Sequence, residues 1–356
     1  MTQPFNKTFF NGKKVFITGH TGFKGSWLAF WLNRLGAEVY GYSLKPPTIP
    51  SHYSLLGLDI NSTIGDIRNP DKLNTSMHAA KPEIVFHLAA QPLVRLSYEQ
   101  PMETFSTNVM GTLNVFEASR KIPSVRAIIN VTSDKCYENR ELKRGYHEND
   151  PMGGHDPYSA SKGCSELLTK CYRNSYFSND LYGHKHNVLL ASCRAGNVIG
   201  GGDWASDRLI PDIMKSANLG KPVQIRNPLS IRPWQHVLEP LSGYLMLGQK
   251  LLEGDKFFAD AWNFGPLNKN SMSVKDVVRK ISRFWDKIDY AIYKSTGNVH
   301  ETSFLKIDSS KARMKLKWTP KWDASRTLEA TARWYRNYYE NRIINTEADI
   351  IAYEKA

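Results

Sequence analysis

Residues 13–25 read KKVFITGHTGFKG, and this stretch decides the fold. The apolar run Val15, Phe16, Ile17 leads into Gly19, Gly22 and Gly25, three apart, and a helical pattern follows. Glycine lets a chain turn tightly, lets backbone N–H groups approach a pyrophosphate, and lets strand and helix pack closely. The N-terminus of the helix then favours an anion. The strand, turn and helix are those a bound dinucleotide requires.

Working outward, strand-like runs alternate with helical patterns: WLAFWLNRLG, AEVYGYS, EIVFHLAA, ETFSTNVMGTLNVFEASR, RAIINVTS. Such alternation implies βαβ units. The fold class expected is α/β, a Rossmann-type doubly wound parallel sheet. The helix over about 22–35 should stop at Gly36, and a long helix should begin near Asp156 and Pro157 and run past Cys171. NVLLASCRAG supplies one more buried strand. After about residue 195 Gly and Pro clusters (GGGDW, GKPVQIRNPLSIRP) change the texture. The expected division is 1–195, a cofactor-binding domain, and 196–356, a smaller substrate-binding domain partly interleaved with it. Trp334 to Tyr339 should lie in a closing amphipathic helix, with a loose polar tail beyond.

At 356 residues, 41% hydrophobic and 23% charged, the composition is that of a soluble globular protein. No apolar run approaches the roughly 20 residues that cross a bilayer, and MTQPFNKTFFNGKK has no signal-peptide core. No membrane association and a cytoplasmic location are therefore expected. The net charge of +13 comes from dispersed Lys and Arg without a nucleic-acid motif, which suits an anionic small substrate better than nucleic acid. Cys136, Cys164, Cys171 and Cys193 form no C-x-x-C pair, so no metal site is expected; they should be reduced and buried.

Chemistry concentrates in two places. In PYSASKGCSE, Tyr158 and Lys162 are four apart, on one face of a helix, where an ammonium would lower the pKa of a phenol by stabilising phenolate. At the end of the strand before it, VTSDKCYENR sets Ser133, Asp134 and Lys135 side by side. Ser133 can bond a substrate oxygen while Tyr158 moves its proton. His87, Trp204 and Trp234 are read as core packing.

The glycine spacing G-x-x-G-x-x-G together with Tyr-x-x-x-Lys resembles the extended short-chain dehydrogenase/reductase superfamily. That resemblance implies NAD as cofactor, although Ser43, Leu44 and Lys45 at the second strand's end do not distinguish NAD from NADP. It implies cofactor contacts from the loop Gly19, His20, Thr21, Gly22, Phe23, Lys24 and Gly25 and from Ser43. Asp66 and Ile67 resemble the adenine-contacting pair, with a turn as the equal alternative for Asp66. Leu88, Ala89 and Ala90 resemble the fourth-strand loop, and Asn108, Tyr158, Lys162 and Arg194 complete the cofactor set. His20 and Lys24 stand where the superfamily carries small or apolar side chains, so a looser hold on NAD is expected.

Within the superfamily, acid-base groups directly after the strand-end hydroxyl resemble nucleotide-sugar 4,6-dehydratases. The dTDP-glucose branch reads Thr-Asp-Glu there; Ser133-Asp134-Lys135, with GNVIGGGDW, most resembles the branch acting on CDP-glucose, in deoxysugar biosynthesis. The resemblance implies Tyr158 as base at the 4-hydroxyl, Asp134 as acid on the 6-hydroxyl and Lys135 at C5. It implies substrate contacts from Gln91, Ser133, Asn197, Arg226 and Arg232, the arginines toward diphosphate. It also implies a homodimer or higher homo-oligomer through helices near 101–120 and 158–175. Another dehydratase or a 4-epimerase is the alternative, and a non-catalytic NAD(P)-sensing protein the alternative from a different class.

Overall fold

Five strands follow the order of the apolar runs, β1 (Lys14–Thr18), β2 (Glu38–Ser43), β4 (Ile84–His87), β5 (Ala127–Val131) and β6 (Leu189–Ala195), and β3 (Asn61–Ile64) falls between β2 and β4. A seventh, Ala261–Phe264, returns from the second half of the chain. In this computed structural model, which describes residues 6–142, 144–225, 227–267, 271–292 and 305–356, they form one sheet. Its order is Ala261–Phe264, β6, β5, β4, β1, β2, β3, and every pairing is parallel. The expected doubly wound architecture is present. Sequence reading missed β3 and the seventh strand, because NSTI is a short, mostly exposed edge and AWNF is only four residues long.

Alternate residues of the strands enter two cores, as the two-residue period of a strand requires. Val15, Ile17, Ile84, Phe86, Ala127 and Ile129 face one core, with Trp27 and Trp31 of α1 (Phe23–Arg34). Phe16, Val85 and Ile128 face the other, with the helices Pro70–Ala80, Gly111–Arg120 and Pro157–Ser175. α1 ends at Arg34, and Gly36 has φ +79°, the left-handed conformation that stops a helix. Asp156 caps the helix Pro157–Ser175 by accepting from Ser159 N at 2.9 Å. Both helix boundaries are those read from the sequence.

The second half of the chain shares the α1-side core. The helix Leu238–Leu252 packs on β5 and β6, and Trp318, Trp334 and Tyr335 are buried with Trp27. Short pairings join Gln235–His236 to Val198–Ile199 and Ser271–Ser273 to Ile231–Pro233. The tail expected to be loose is a helix, Thr346–Lys355, and it is docked. Ile350 and Tyr353, three apart in a polar sequence, make one buried face. The Tyr353 hydroxyl donates to Glu239 Oε2 at 2.6 Å, and Trp31 Nε1 donates to Glu354 Oε1 at 2.9 Å. A second expectation also fails: Cys136 and Cys193 are buried, but Cys164 is half-buried and Cys171 exposed, because the latter two lie toward the outer face of their helix. No helix among the described residues is long and apolar enough to cross a membrane, and no group of metal-ligating side chains occurs among them.

Candidate active site

Strand order reverses between β1 and β4, and the loops leaving their C-terminal ends face each other there. Gly19, with φ +80°, runs so close to the β4 loop that a side chain would meet Ala89 N at 2.7 Å; at Gly25 it would meet Gly19 O at 2.0 Å. Leu88 N donates to Thr18 O, and Ala89 N to Thr18 Oγ1, so Thr18 ties the two loops together. His87 beneath them bonds Thr18 and Thr112 and is a satisfied core residue. The cap residue of α1, Gly22, makes no side-chain bond to the helix, and the first turn carries no acid. This uncapped end and the close-packed glycines fit a dinucleotide pyrophosphate.

His20 and Lys24, four apart, go separate ways. The His20 ring lies over Gly41 of β2 and bonds Ser62 Oγ at 2.7 Å, and burial pushes its pKa down to about 4. It is a packed, neutral side chain. Lys24 joins the charged groups of the site: burial, then Arg208 and Lys162, bring its pKa down to about 8 against the pull of Asp134. Thr21 bonds Ser43 Oγ at 2.8 Å and Leu44 O at 2.9 Å, fixing the loop on the end of β2. Asp66 is gripped by Arg68, which donates several bonds to it and holds the carboxyl below its ordinary range. Ile67 beside it is buried, its carbonyl accepting from Asn114.

β5 delivers Ser133, Asp134 and Lys135 onto a single helical turn. Ser133 Oγ donates to Asp134 Oδ1 at 3.1 Å and accepts from Lys135 N at 3.3 Å. The Asp134 carboxylate rests on the backbone of Gly196, where a side chain would meet Oδ2 at 2.2 Å, so glycine makes its place. Lys135 is half-buried and, among the described residues, forms no ion pair with Asp134 or Glu138, whose carboxylate goes to Arg140 instead. Tyr158 and Lys162 are buried on the facing helix, and the Tyr158 phenol meets Ser133. The sequence-derived set is brought together in one place.

The electrostatics differ from expectation at the phenol. Burial raises the Tyr158 pKa to about 12, with Asp134 adding to it, while the bond to Ser133 and the charge of Arg208 act in the opposite sense. Lys162 Nζ donates to Val131 O at 3.4 Å, and burial lowers its own pKa to about 8. A lysine one turn along the helix does not by itself lower the phenol, because both groups are desolvated and the phenolate is penalised first.

Beneath this set lies a buried pair that sequence reading missed. Glu166, one turn beyond Lys162, accepts from Thr132 Oγ1 at 2.5 Å, Ser192 Oγ at 2.8 Å and Arg194 Nη2 at 2.8 Å. Its i+4 spacing from Lys162 was the available signal. Arg194 also donates to Tyr137 Oη and Glu148 O, so its two terminal nitrogens are engaged in the layer under the site. Gln91 and Asn108 engage each other: Gln91 N donates to Asn108 Oδ1 at 2.8 Å, Asn108 Nδ2 donates to Gln91 O and Ser161 Oγ, and the Gln91 amide bonds Leu93 and Thr104. They tie the β4 loop to the catalytic helix. Asn197 is half-buried beside the site with its carbonyl accepting from Gln235 N, and Arg232 is half-buried on Ile231–Pro233. Arg226 lies outside the described residues. Trp204 and Trp234 are buried, as read.

A glycine turn at the point where strand order reverses, facing a buried serine, tyrosine and lysine on the next strand and helix, defines a short-chain dehydrogenase/reductase. The family model described as GDP-mannose 4,6 dehydratase matches residues 16–331, and the chain belongs to that family. The CDP-glucose 4,6-dehydratase of Salmonella typhimurium is 51% identical over 355 residues, 99% of each chain. The CDP-paratose 2-epimerase of Salmonella typhi is 26% identical, covering 90% of this chain and 98% of its own. Among solved structures, dTDP-glucose 4,6-dehydratase from Bacillus anthracis in complex with NAD superposes with TM-score 0.74 at 21% identity, covering 92% of this chain and 97% of that one. An epimerase from Methanothermobacter thermautotrophicus reaches TM-score 0.80 at 22% identity, covering 95% and 97%.

Proposed function

We infer that the chain is an NAD-dependent 4,6-dehydratase of CDP-glucose, forming CDP-4-dehydro-6-deoxyglucose and water. The observation that carries the substrate is the 51% identity, over 99% of both chains, to the Salmonella typhimurium enzyme of that name. NAD held by the glycine loop would supply a hydride acceptor for C4 and a hydride donor for C6. Around it, our reading gives each residue one proton. Tyr158 takes the proton of the 4-hydroxyl while Ser133 bonds that oxygen. The resulting 4-ketone acidifies C5–H, Lys135 removes that proton, and Asp134 delivers one to the departing 6-hydroxyl. Hydride arriving at C6 leaves an enolate that takes its C5 proton back from Lys135, and the proton taken up by Tyr158 replaces the one spent by Asp134, so the balance is one water lost from C5 and C6 with cofactor and residues restored.

The support for Lys135 as the base is its position on the same turn as Ser133 and Asp134 and, among the described residues, its lack of a carboxylate partner. Lys135→Met is expected to retain hydride removal from C4 and to lose exchange of the C5 proton with solvent, read by mass spectrometry in deuterium oxide; unchanged turnover would sink the assignment. The reaction as a whole is tested with CDP-glucose deuterated at C4: label recovered at C6 of a 4-keto product supports dehydration, and label kept at C4 with an inverted centre indicates a 4-epimerase.

Residues 1–195 are read as the cofactor half and 196–356 as the substrate half, with Asn197 and Arg232 toward the sugar diphosphate. A homodimer in the cytoplasm belongs to the same reading. It is supported by exposed Met102, Phe105 and Met110 along one helical run and exposed Leu167 on the helix packed beside it, an apolar face suited to a second copy.

A further inference from the structure

Distant parts of the chain meet at His52, a buried ring that the proton chemistry does not use. It stands at the start of the short helix His52–Leu56 and stacks on Trp27 of α1, with 5.0 Å between centroids and 24° between planes. Trp334, in the helix Ala324–Asn341, meets it edge-on at 5.7 Å. Gly202, with φ +85°, runs so close to the ring that a side chain would meet His52 Cδ2 at 2.6 Å. The segment that holds Gly202 is pinned on either side. Trp27 Nε1 donates to Gly201 O at 2.9 Å, and Asp203 N donates to the Tyr335 hydroxyl at 2.9 Å while that hydroxyl donates back to Asp203 O.

Both ring nitrogens are engaged. Nδ1 lies 2.8 Å from Ser26 Oγ of α1, and Nε2 lies 2.7 Å from Thr346 Oγ1, the first residue of the helix Thr346–Lys355. The ends of this row fix its direction. Trp334 Nε1, which can only donate, donates to Thr346 Oγ1 at 3.1 Å, and Phe23 O, which can only accept, takes the Ser26 hydroxyl at 2.9 Å. Burial holds the His52 pKa down at about 3, so the ring is neutral and has a single N–H. Ser26 therefore accepts from Nδ1–H, and Thr346 donates to a bare Nε2. Run the other way, the row would leave the Thr346 hydrogen without an acceptor among the described residues.

The row ends in the first turn of α1. Ser26 N bonds back to Gly22 O at 2.9 Å, and the N–H groups ahead of it are those that a helix leaves free and that fit a pyrophosphate. We propose that His52 is a positioning residue for the cofactor: its Nδ1–H holds the Ser26 hydroxyl on Phe23 O, and so sets the first turn of α1 from Thr346 and Trp334 near the other end of the chain. His52 acts through Ser26 and moves no proton of the reaction. The inference rests on NAD at the glycine loop and does not depend on which sugar is bound.

The test is NAD binding itself, measured by calorimetry on the purified full chain without nucleotide sugar, alongside unfolding midpoints. Ser26→Ala and His52→Gln, whose amide reaches the place of Nε2 but not of Nδ1, are expected to bind NAD about tenfold more weakly. His52→Asn keeps an N–H where Nδ1 stands and should hold NAD within about twofold of the wild type, while losing as much stability as His52→Gln. Thr346→Val frees Nε2 to take the ring proton and lets the Ser26 hydroxyl turn to Nδ1, at a cost of about threefold in NAD affinity. Nitrogen NMR with isotopically labelled histidine, the resonances assigned by their loss in His52→Asn, should show Nδ1 protonated and Nε2 bare. Equal loosening of NAD in His52→Asn and His52→Gln, in step with lost stability, makes His52 a packing residue and overturns the proposal. So does an unchanged affinity in His52→Gln, or a ring protonated at Nε2. A wild type that binds no NAD overturns the cofactor reading and this inference with it.

Discussion

Two buried glutamates, each on a long helix, are treated in opposite ways. Burial pushes the Glu166 carboxyl up, but Arg194 with the bonds from Thr132 and Ser192 outweighs it and holds the group below its ordinary range, ionised. Glu239 is as deeply buried and is met by Tyr353 and the backbone N–H groups of Lys321 and Trp322, and burial raises its pKa to about 7. The carboxyl under Ser133, Tyr158 and Lys162 is therefore held as a paired charge. The one under the C-terminal helix is moved toward its protonated form. A charge in a dry interior needs a counter-charge, whereas a carboxyl beside neutral donors lowers its cost by staying protonated.

That contrast can be broken from either side. Glu166→Gln strands Arg194 without a counter-ion in the core and is expected to lower stability by about 3–5 kcal/mol, measured by urea unfolding. A loss under about 1 kcal/mol would mean the pair is not the strut described. Glu239 gives a smaller effect with a distinctive pH signature. Its folded pKa of about 7 lies above the ordinary 4.5, so between those values the folded state keeps a proton that the unfolded state releases. Its contribution is complete below pH 4.5 and fades as pH rises toward 7, a change of about 3 kcal/mol. Glu239→Gln should remove that slope, seen as the difference between wild-type and variant unfolding curves at about pH 5 and pH 7. Tyr353→Phe deletes one bond to the same carboxyl and should cost about 1 kcal/mol at the lower pH.

What sequence made legible was local. Gly19, Gly22 and Gly25 are a few residues apart, Tyr158 and Lys162 share one helix face, and Ser133 to Lys135 follow one strand, so spacing alone places each group relative to its neighbours. Their joint assembly followed from the order of the sheet, which the βαβ alternation also encoded. What stayed hidden were partnerships across the chain. Asp203 and Tyr335 are 132 positions apart, and nothing in DWASDRLIP announces that a tyrosine will clasp it. The helix Thr346–Lys355 was hidden for a different reason: only Ile350 and Tyr353 are strongly apolar and buried, and the surrounding polarity masks the pair. The raised phenol was hidden because spacing gives proximity to a lysine and says nothing of desolvation.

The clasp between Tyr335 and Asp203 has a consequence for how the protein comes into being. Ser133, Asp134, Lys135, Tyr158 and Lys162 all leave the ribosome before Asp203, and the glycine turn precedes them. Yet Asp203 is secured by a tyrosine translated 132 positions after it. A nascent chain that already holds the glycine turn and this cluster therefore still lacks the partner that fixes the segment after β6, and that partner arrives only with the helix Ala324–Asn341.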